Sequence, residues 1–264
     1  MLVLYHAGLT TCSKQVRFCL REKGLVYETR YVDLLRFEHL FPDYLKLNPH
    51  GVVPTLVHDG HAVINSACIN EYIDEVFPAP RLSPTDPRER ALMRYWTWTA
   101  DDAHFQIAQL TRHHRLRHSA RALSDDDRSL VLAHMPVPGR RARWRQAIET
   151  DLTAEESATA LDHLHFVAGR MNQAIGTHGP WLAGATFSLG DISMASIIHR
   201  LLELFPDALP RSEYPHVDDW FKRLMARPAA IATYAAGTDE TPKLPPSRAA
   251  PGIAVLRAAS VAKA

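Results

Sequence analysis

The chain has 264 residues, of which 46% are hydrophobic and 22% are charged, and its formal net charge at pH 7 is +1. This length allows one large or two modest domains, and the small net charge excludes a general electrostatic attraction to nucleic acid or an anionic membrane. No apolar run approaches the roughly 18 residues that a membrane span needs. The N-terminal residues do not show the basic and apolar segments of a signal peptide, so we expect a cytoplasmic protein.

The first third of the chain predicts a small α/β unit. An apolar run over residues 2–5 predicts a buried strand. Apolar residues at helical spacing over 11–23, followed by Gly24, predict a helix. Alternation over 26–32 then predicts a second strand. A strand, a helix and a strand in so few residues indicate a βαβ unit with a parallel strand pair.

The rest of this unit is predicted to contain a short helix, a hairpin and a longer helix. Residues 37–48 are less regular and are interpreted as the short helix. Asp59-Gly60 lies between two apolar runs, which is the strongest short hairpin signal. Asn65 or Ser66 then precedes an amphipathic pattern that extends to about residue 77. We therefore predict a mixed four-stranded sheet with flanking helices over residues 1–80.

The second part of the chain is predicted to be all-helical. Pro78, Pro80 and Pro84 indicate a linker, and Asp86-Pro87 fits the start of a helix. Helical patterns then cover 88–121, about 125–134, 138–148, 154–175, a segment from residue 188, and 216–225. These patterns predict an all-helical domain over 86–235. Residues 236–264 are rich in Pro, Ala and Gly and are interpreted as a mobile or surface-draped tail.

The cysteine pattern argues against disulfides. Cys12, Cys19 and Cys68 are an odd number at unrelated spacings. Free cysteine usually behaves as a small buried hydrophobe, so we expect Cys19 and Cys68 to be buried thiols on helix faces. Cys12 differs because it lies where a strand leads into the first turn of a helix.

That position, Thr10-Thr11-Cys12-Ser13, is the first candidate site. The unpaired N–H groups and the dipole of a helix N-terminus favour a bound anion. One of these side chains could simply cap the helix. Alternatively, the site could hold a thiolate, because a helix N-terminus lowers the pKa of a thiol. The thiolate could be that of Cys12, or that of a bound small thiol to which the hydroxyls donate.

Two further pairs could belong to the same site. Val53-Pro54 could be an ordinary turn or strand-edge pair, or the exposed backbone of Val53 could accept a peptide-like ligand as an extra strand. Asn65-Ser66 could be only a helix cap, or it could form a second anion site suited to a carboxylate.

The remaining polar and aromatic clusters predict structure. His113-His114 and the arginines that follow are interpreted as a solvated helix face, as is the pair at 101–102. No histidine pair has a spacing and a neighbouring carboxylate that would indicate a metal site. One aromatic group is more often core than ligand wall, although part of it could be either. Its members are Tyr95, Trp96, Trp98 and Phe105.

Over about residues 1–235 the chain resembles the glutathione transferase superfamily. Residues 10–13 with Val16-Arg17 are similar to the Ser-Ser-Cys-Ser…Val-Arg signature of the zeta class. Cys12-Ser13 and residues 65–66 resemble tetrachlorohydroquinone dehalogenase, and residues 136–145 are similar to bacterial β-aryl etherases. Residues 48–56 are similar to the Asn-Pro-x-Gly-x-Val-Pro segment of the superfamily, and 187–191 to its N-capping box, with Gly190 in place of the usual Ala.

The resemblance implies a thioredoxin-like domain that binds glutathione as a co-substrate, and an all-α domain that completes a hydrophobic substrate pocket. Val53, beside a cis-Pro54, would pair with the cysteinyl part of glutathione. Asn65 and Ser66 would hold its γ-glutamyl carboxylate, and Asn65 in place of Glu would weaken one contact to its ammonium group. His39 would contact its glycine carboxylate.

The resemblance also implies the catalytic residues and the reaction. Thr10, Thr11 or Ser13 would stabilise the glutathione thiolate, and Cys12 could act with it. The thiolate would attack a small electrophilic substrate, which we expect to be aromatic. The alternatives are reductive dehalogenation, β-aryl ether cleavage or maleyl-type isomerisation using Cys12. A non-catalytic binding module is an alternative outside enzymes. The superfamily generally forms homodimers, so a homodimer is expected.

Overall fold

The computed structural model of the protein describes residues 1–235 and 249–261, and it begins with a sheet and its flanking helices. The N-terminal elements are β1 (Leu2–His6), α1 (Thr11–Glu22), β2 (Glu28–Tyr31), 3₁₀ turns at Leu34–Arg36 and Glu38–Leu40, α2 (Pro42–Leu47), β3 (Thr55–His58), β4 (His61–Ile64) and α3 (Ser66–Val76).

The sheet has the strand order β2-β1-β3-β4. β1 and β2 are parallel, and β3 is antiparallel to both β1 and β4. The turn between β3 and β4 contains Asp59 and Gly60, whose φ angles are 47° and 85°, as a two-residue hairpin turn requires. The predicted mixed four-stranded sheet and its hairpin are therefore confirmed. The predicted short helix is confined to α2, since two 3₁₀ turns precede it.

Helices make up the rest of the described chain. They are α4 (Pro87–Thr111), a π-helical turn (Arg112–Leu116), α5 (Arg117–Arg121), α6 (Asp125–His134), α7 (Pro138–Glu149), α8 (Ala154–His178), α9 (Leu189–Leu204), α10 (Pro215–Met225), α11 (Pro228–Tyr234) and α12 (Ala249–Val261). The second part is predicted to be all-helical, and its helical character is confirmed, with an isolated β-bridge between Trp181 and Gly184. Among the residues that the structure describes, no helix has both the length and the apolar character needed to cross a bilayer.

The two parts pack together through α1 and α9. Gln15 Nε2 on α1 donates to Ser193 Oγ on α9 at 2.9 Å, and both residues are buried. The N-terminus of α9 is held by the fully buried carboxylate of Asp191. It accepts hydrogen bonds from Ser188 N at 2.9 Å and Trp220 Nε1 at 2.8 Å. The contact between α1 and α9 fixes the N-terminus of α1 relative to the helical part. A site at that N-terminus is therefore bordered by both parts of the chain.

Part of the predicted tail is a docked helix. Residues 249–261 form α12, which contacts α6 and the first 3₁₀ turn and buries Leu256 completely and Ile253 to 6% exposure. For this segment the structure is compatible with the surface-draped alternative, as a docked helix whose few apolar residues fall on one face. The other tail residues, 236–248 and 262–264, lie outside the described ranges.

Three predictions need correction. Cys19 is fully buried, but Cys68 is exposed, because the buried face of α3 is formed by its neighbour Ile69. Of the aromatic group on α4, only Trp96 is core, and Tyr95, Trp98 and Phe105 are exposed. The basic cluster that follows α4 is not wholly solvated, since His113 is 5% exposed.

Candidate functional site

The register of the sheet brings the predicted site segments to one edge. Tyr5 pairs with Thr55, and Thr55 pairs with Ile64. Consequently the end of β1, the start of β3 and the end of β4 lie side by side. The loop to α1, the residues before β3 and the first residue of α3 all extend from this edge. His39 belongs to it as well, because β2 runs parallel to β1.

At the N-terminus of α1, two of the predicted hydroxyl groups are used within the turn. Thr10 Oγ1 lies 3.0 Å from Ala7 O and 2.6 Å from Ser13 Oγ. Ser13 Oγ accepts a hydrogen bond from Ala7 N at 3.3 Å and is fully buried. Thr11 is 8% exposed. The hydroxyls of Thr10 and Ser13 therefore stabilise the loop as the structure shows it, and their contact with a ligand thiolate stays a prediction.

Cys12 is partly exposed and pairs with a histidine from α4. Its Sγ lies 3.4 Å from His104 Nε2. Burial acts to raise the pKa of Cys12, but the charge and hydrogen bond of His104, with a hydrogen bond from Ser66, lower it overall. The Cys12 charge in turn raises the pKa of His104. The pair is therefore suited to exist as a Cys12 thiolate and a His104 imidazolium. In this form the thiolate is a nucleophile.

Val53 offers unpaired backbone groups next to a cis peptide bond. The Val53-Pro54 bond is cis, as expected for such a sheet. No hydrogen bond joins the N–H or C=O of Val53 to another residue of the described ranges. The neighbouring Val52 O, in contrast, accepts from Tyr44 Oη at 2.6 Å and from Asn48 Nδ2 at 2.8 Å. These bonds hold the segment in place, so the backbone of Val53 is available to an extended peptide.

The N-terminus of α3 lies at the same sheet edge. Asn65 caps the helix through Oδ1, which accepts from Ala67 N at 2.9 Å and Cys68 N at 3.1 Å. Ser66 is 4% exposed, and its side chain helps to lower the pKa of Cys12, so the α3 and α1 N-termini lie close together. The predicted cap is confirmed. The structure thus brings Cys12 and Ser66 together.

His39 is enclosed near Arg140. Its side chain is 5% exposed, and Nδ1 has no hydrogen-bond partner in the parts of the chain that the structure describes. Burial lowers the pKa of His39 to about 3, and the charge of Arg140 adds to this effect. Arg140 itself donates from Nη1 to Gly51 O at 3.3 Å. At neutral pH the positive charge in this region therefore belongs to Arg140, and His39 is a neutral imidazole.

Sequence reasoning missed the contribution of α4. His104 contacts Cys12, and the Asp101 carboxylate lies 3.4 Å from Asn65 Nδ2. The two residues are three positions apart on one helix, so they share a face. That spacing was visible in the sequence, but nothing there indicated that this face meets α1 and α3. Asp101 is exposed as predicted.

Comparison with known proteins gives a consistent result for both parts of the chain. Residues 4–81 match the family model for the glutathione S-transferase N-terminal domain, and residues 134–228 match that for the C-terminal domain. Protein LigF of Sphingobium sp. is 30% identical over 235 residues, which cover 86% of this chain and 91% of LigF. Maleylacetoacetate isomerase of Pseudomonas aeruginosa is 45% identical over 94 residues, 34% of this chain and 44% of the isomerase.

A solved structure is similar over most of the chain. The crystal structure of the β-etherase LigF from Sphingobium sp. superposes with a TM-score of 0.82 and 29% sequence identity. The superposition covers 88% of this chain and 98% of LigF.

Proposed function

The chain belongs to the glutathione S-transferase family, and on that premise we propose that it binds glutathione in the cleft between the sheet edge and α4. The bound thiolate attacks the electrophilic carbon of a small aromatic substrate held against the helical part. The free backbone groups of Val53 carry this proposal, because they are suited to a peptide and lie on the same edge as the α1 and α3 N-termini.

The proposed orientation of glutathione follows from the charges around Val53. The cysteinyl part pairs with the Val53 backbone. The γ-glutamyl carboxylate lies at Ser66 and the α3 N-terminus, and its ammonium group lies near Asp101, which supplies the negative charge that Asn65 lacks. The glycine carboxylate lies at the other end, where His39 and Arg140 are found.

Two groups of the protein favour the thiolate form of bound glutathione. The α1 N-terminus presents backbone N–H groups, with Thr10, Thr11 and Ser13 beside them. His104, whose pKa is raised, adds a positive charge. One pKa unit corresponds to about 1.4 kcal/mol. A stabilisation of the thiolate by a few kcal/mol therefore lowers the pKa of the glutathione thiol toward neutral pH.

Glutathione calorimetry followed by a turnover assay with 1-chloro-2,4-dinitrobenzene tests this proposal. We expect binding and saturable conjugation. Absence of glutathione binding would contradict the proposal. Binding without turnover on a broad electrophile panel would instead favour a non-catalytic binding module.

The Cys12–His104 contact favours a second candidate, a reductive reaction that passes through Cys12. The Cys12 thiolate attacks the sulfur of a glutathionyl adduct, and an S–S bond forms. The bond from that sulfur to the substrate breaks, and its electron pair stays on the substrate, which takes a proton. A second glutathione thiolate then releases Cys12 and leaves as oxidised glutathione. Two glutathione molecules are oxidised and the substrate is reduced.

A substrate screen separates the chemistries that relatives suggest. The similarity to the β-etherase LigF supports an aryl ether substrate, and that to maleylacetoacetate isomerase supports a maleyl compound. Aryl ethers, halogenated quinols and maleyl compounds should be compared using wild type and Cys12→Ser. Loss of activity in Cys12→Ser with quinols alone would support the reductive route, and full activity with every substrate would contradict it.

The proposal includes an assembly and a location. We propose a homodimer in the cytoplasm, in keeping with the family and with the exposed apolar side chains on α4.

A further inference from the structure

Three arginines lie where the π-helical turn after α4 meets α7. They are Arg112 in the turn and Arg140 and Arg143 on α7. No Asp or Glu oxygen within residues 1–235 and 249–261 forms an ion pair with any of the three. Most other buried or partly buried lysine and arginine side chains among the described residues do have such a partner, as Lys23 has in Asp74 at 2.6 Å. The lack of a carboxylate partner for these three arginines in the described chain indicates that a negatively charged ligand could bind there.

Aromatic rings and the main chain hold these arginines in place. The guanidinium of Arg112 lies 5.6 Å from the ring centre of Trp144, and that of Arg143 lies 5.1 Å from the ring centre of Phe105. Arg112 is 8% exposed. Stacking on a ring positions a guanidinium but leaves its N–H donors unused. The donors of Arg112 and Arg143 are therefore available to a ligand.

The arginines repel one another, which an anion would relieve. Burial lowers the pKa of Arg112 to about 10, and the charges of Arg143 and Arg140 contribute to this shift. Burial and Arg143 likewise lower the pKa of Arg140 to about 10. Buried like charges without a counter-ion destabilise the folded chain. An anion placed between them would reverse this effect.

The proposed position of glutathione provides a negative group for only one of the three arginines. Arg140 contacts Gly51 and lies beside His39, where the glycine carboxylate is placed above. Arg143 stacks on Phe105 of α4, and its charge and that of Cys12 both act on Arg140, so the group lies near Cys12. Arg143 and its neighbour Arg112 thus lie on the α4 side of the reacting sulfur, where the electrophile would bind.

We propose that the electrophilic substrate is an anion, an aromatic carboxylate or phenolate, whose negative group is bound by Arg112 and Arg143. This rests on the proposed glutathione-dependent reaction and adds the charge of the substrate. The aromatic body of the substrate packs near Phe105 and Trp144. The two guanidinium groups donate paired N–H hydrogen bonds to its negative group.

The test compares two electrophiles that differ in charge, 4-chloro-3-nitrobenzoate and the neutral 4-chloro-3-nitrobenzamide. Each kcat/KM is divided by the uncatalysed rate with glutathione. We expect wild type to favour the acid by about tenfold or more, as charge-assisted hydrogen bonds allow. Arg143→Gln should remove this preference by lowering the normalised kcat/KM about tenfold more for the acid than for the amide, and Arg143→Lys should keep part of the preference. Thermal melting confirms that each variant is folded.

Arg140→Gln is the matched control, and it should raise the KM for glutathione equally with both electrophiles. Equal normalised kcat/KM values for the two electrophiles in wild type, or an equal loss with both electrophiles in Arg143→Gln, would overturn the proposal. If wild type converts neither compound, the proposed reaction fails on these substrates. Calorimetry with the unreactive 3-nitrobenzoate and 3-nitrobenzamide then decides the anion site, and equal binding of the two to wild type would refute it.

Discussion

At the scale of single residues, the contact between Cys12 and His104 decides the chemistry available at the sheet edge. A helix N-terminus lowers the pKa of a thiol, whereas burial acts to raise the pKa of Cys12. The histidine on α4 determines which effect prevails. The role of Cys12 is therefore set by a residue 92 positions away in the chain, which the pattern around residue 12 alone cannot reveal.

The pH dependence of Cys12 alkylation tests this argument. In a Cys68→Ser background the exposed thiol is removed and Cys19 is buried, so iodoacetamide reports Cys12. We expect the alkylation rate to rise with pH and to level off with an apparent pKa below the free value of about 8.5. His104→Ala should move this pKa above the free value, because burial then acts without a compensating cation. An unchanged profile in His104→Ala would contradict the pairing.

The carboxylate of Asp101 provides a second prediction at this scale. Asp101 lies 3.4 Å from Asn65 Nδ2 and is exposed, so its interaction with a ligand ammonium group is screened by solvent. Asp101→Asn should weaken glutathione binding by about two- to tenfold in calorimetry. A glutathione analogue without the amino group should bind both proteins equally. Equal losses for the two ligands would show that Asp101 acts on the fold of the site instead.

The candidate site could be predicted where neighbouring residues in sequence form it. The cap at residues 65–66 follows from a local signal, the cis bond before Pro54 is implied by the resemblance, and both are present. Asp101, His104 and Arg140 could not be placed from the sequence, because their positions depend on how α4 and α7 pack against the sheet. Arg140 in particular lies 89 residues from its partner Gly51.

At the scale of elements, α12 shows how composition can mislead. Gly252 and the proline before it are typical of an irregular tail, which is how the sequence is interpreted. Proline is nevertheless tolerated in the first turn of a helix. Gly252 is required for packing, because a Cβ at this position would lie 1.8 Å from Arg36 O. The glycine therefore allows the helix to approach the 3₁₀ turn after β2.

Gly252→Ala should release α12 from the sheet domain, although alanine favours helix by up to about 1 kcal/mol over glycine. We expect faster hydrogen exchange over residues 253–261 with the sheet unchanged. Gly169→Ala on α8 is the matched control, because Gly169 is exposed and nothing lies within 4 Å of an added Cβ. The control should raise the melting temperature slightly. Unchanged exchange in Gly252→Ala would mean that α12 is not docked in solution as described.

The helical elements were predictable because their signals are local. The helix at Asp125–His134 lies where the sequence predicts it, and Asp86 caps α4 as predicted. The interruption at Arg112–Leu116 was not predictable. Its π-helical turn places Arg112 against Trp144, and this depends on α7, which the sequence cannot orient.

At the scale of the whole molecule, the site is assembled from both parts of the chain. The sheet domain contributes backbone groups and helix N-termini that suit a peptide thiol. The helical part contributes His104, Asp101 and three arginines. This division explains why the proposed peptide-binding groups could be found from local motifs, whereas the proposed charge of the second substrate rests on the packed structure.

An exposed apolar stripe on α4 leads to a prediction about assembly. Leu92, Tyr95 and Trp98 recur every three residues and are 41%, 41% and 67% exposed, so they share a helical face that favours burial by a partner. We propose that the stripe packs against a second copy of the chain. Light scattering should then show wild type as a dimer and Trp98→Glu as a monomer, because a buried unpaired carboxylate is costly.

Phe166→Glu provides the control, since Phe166 is 68% exposed on α8, outside the stripe, and this variant should remain dimeric. A dimeric Trp98→Glu would exclude the α4 stripe as the interface, and a monomeric wild type would refute the homodimer. Glutathione binding should not depend on the dimer. All of the assigned site residues come from one chain, so a folded Trp98→Glu monomer should still bind glutathione, with an affinity close to that of the dimer.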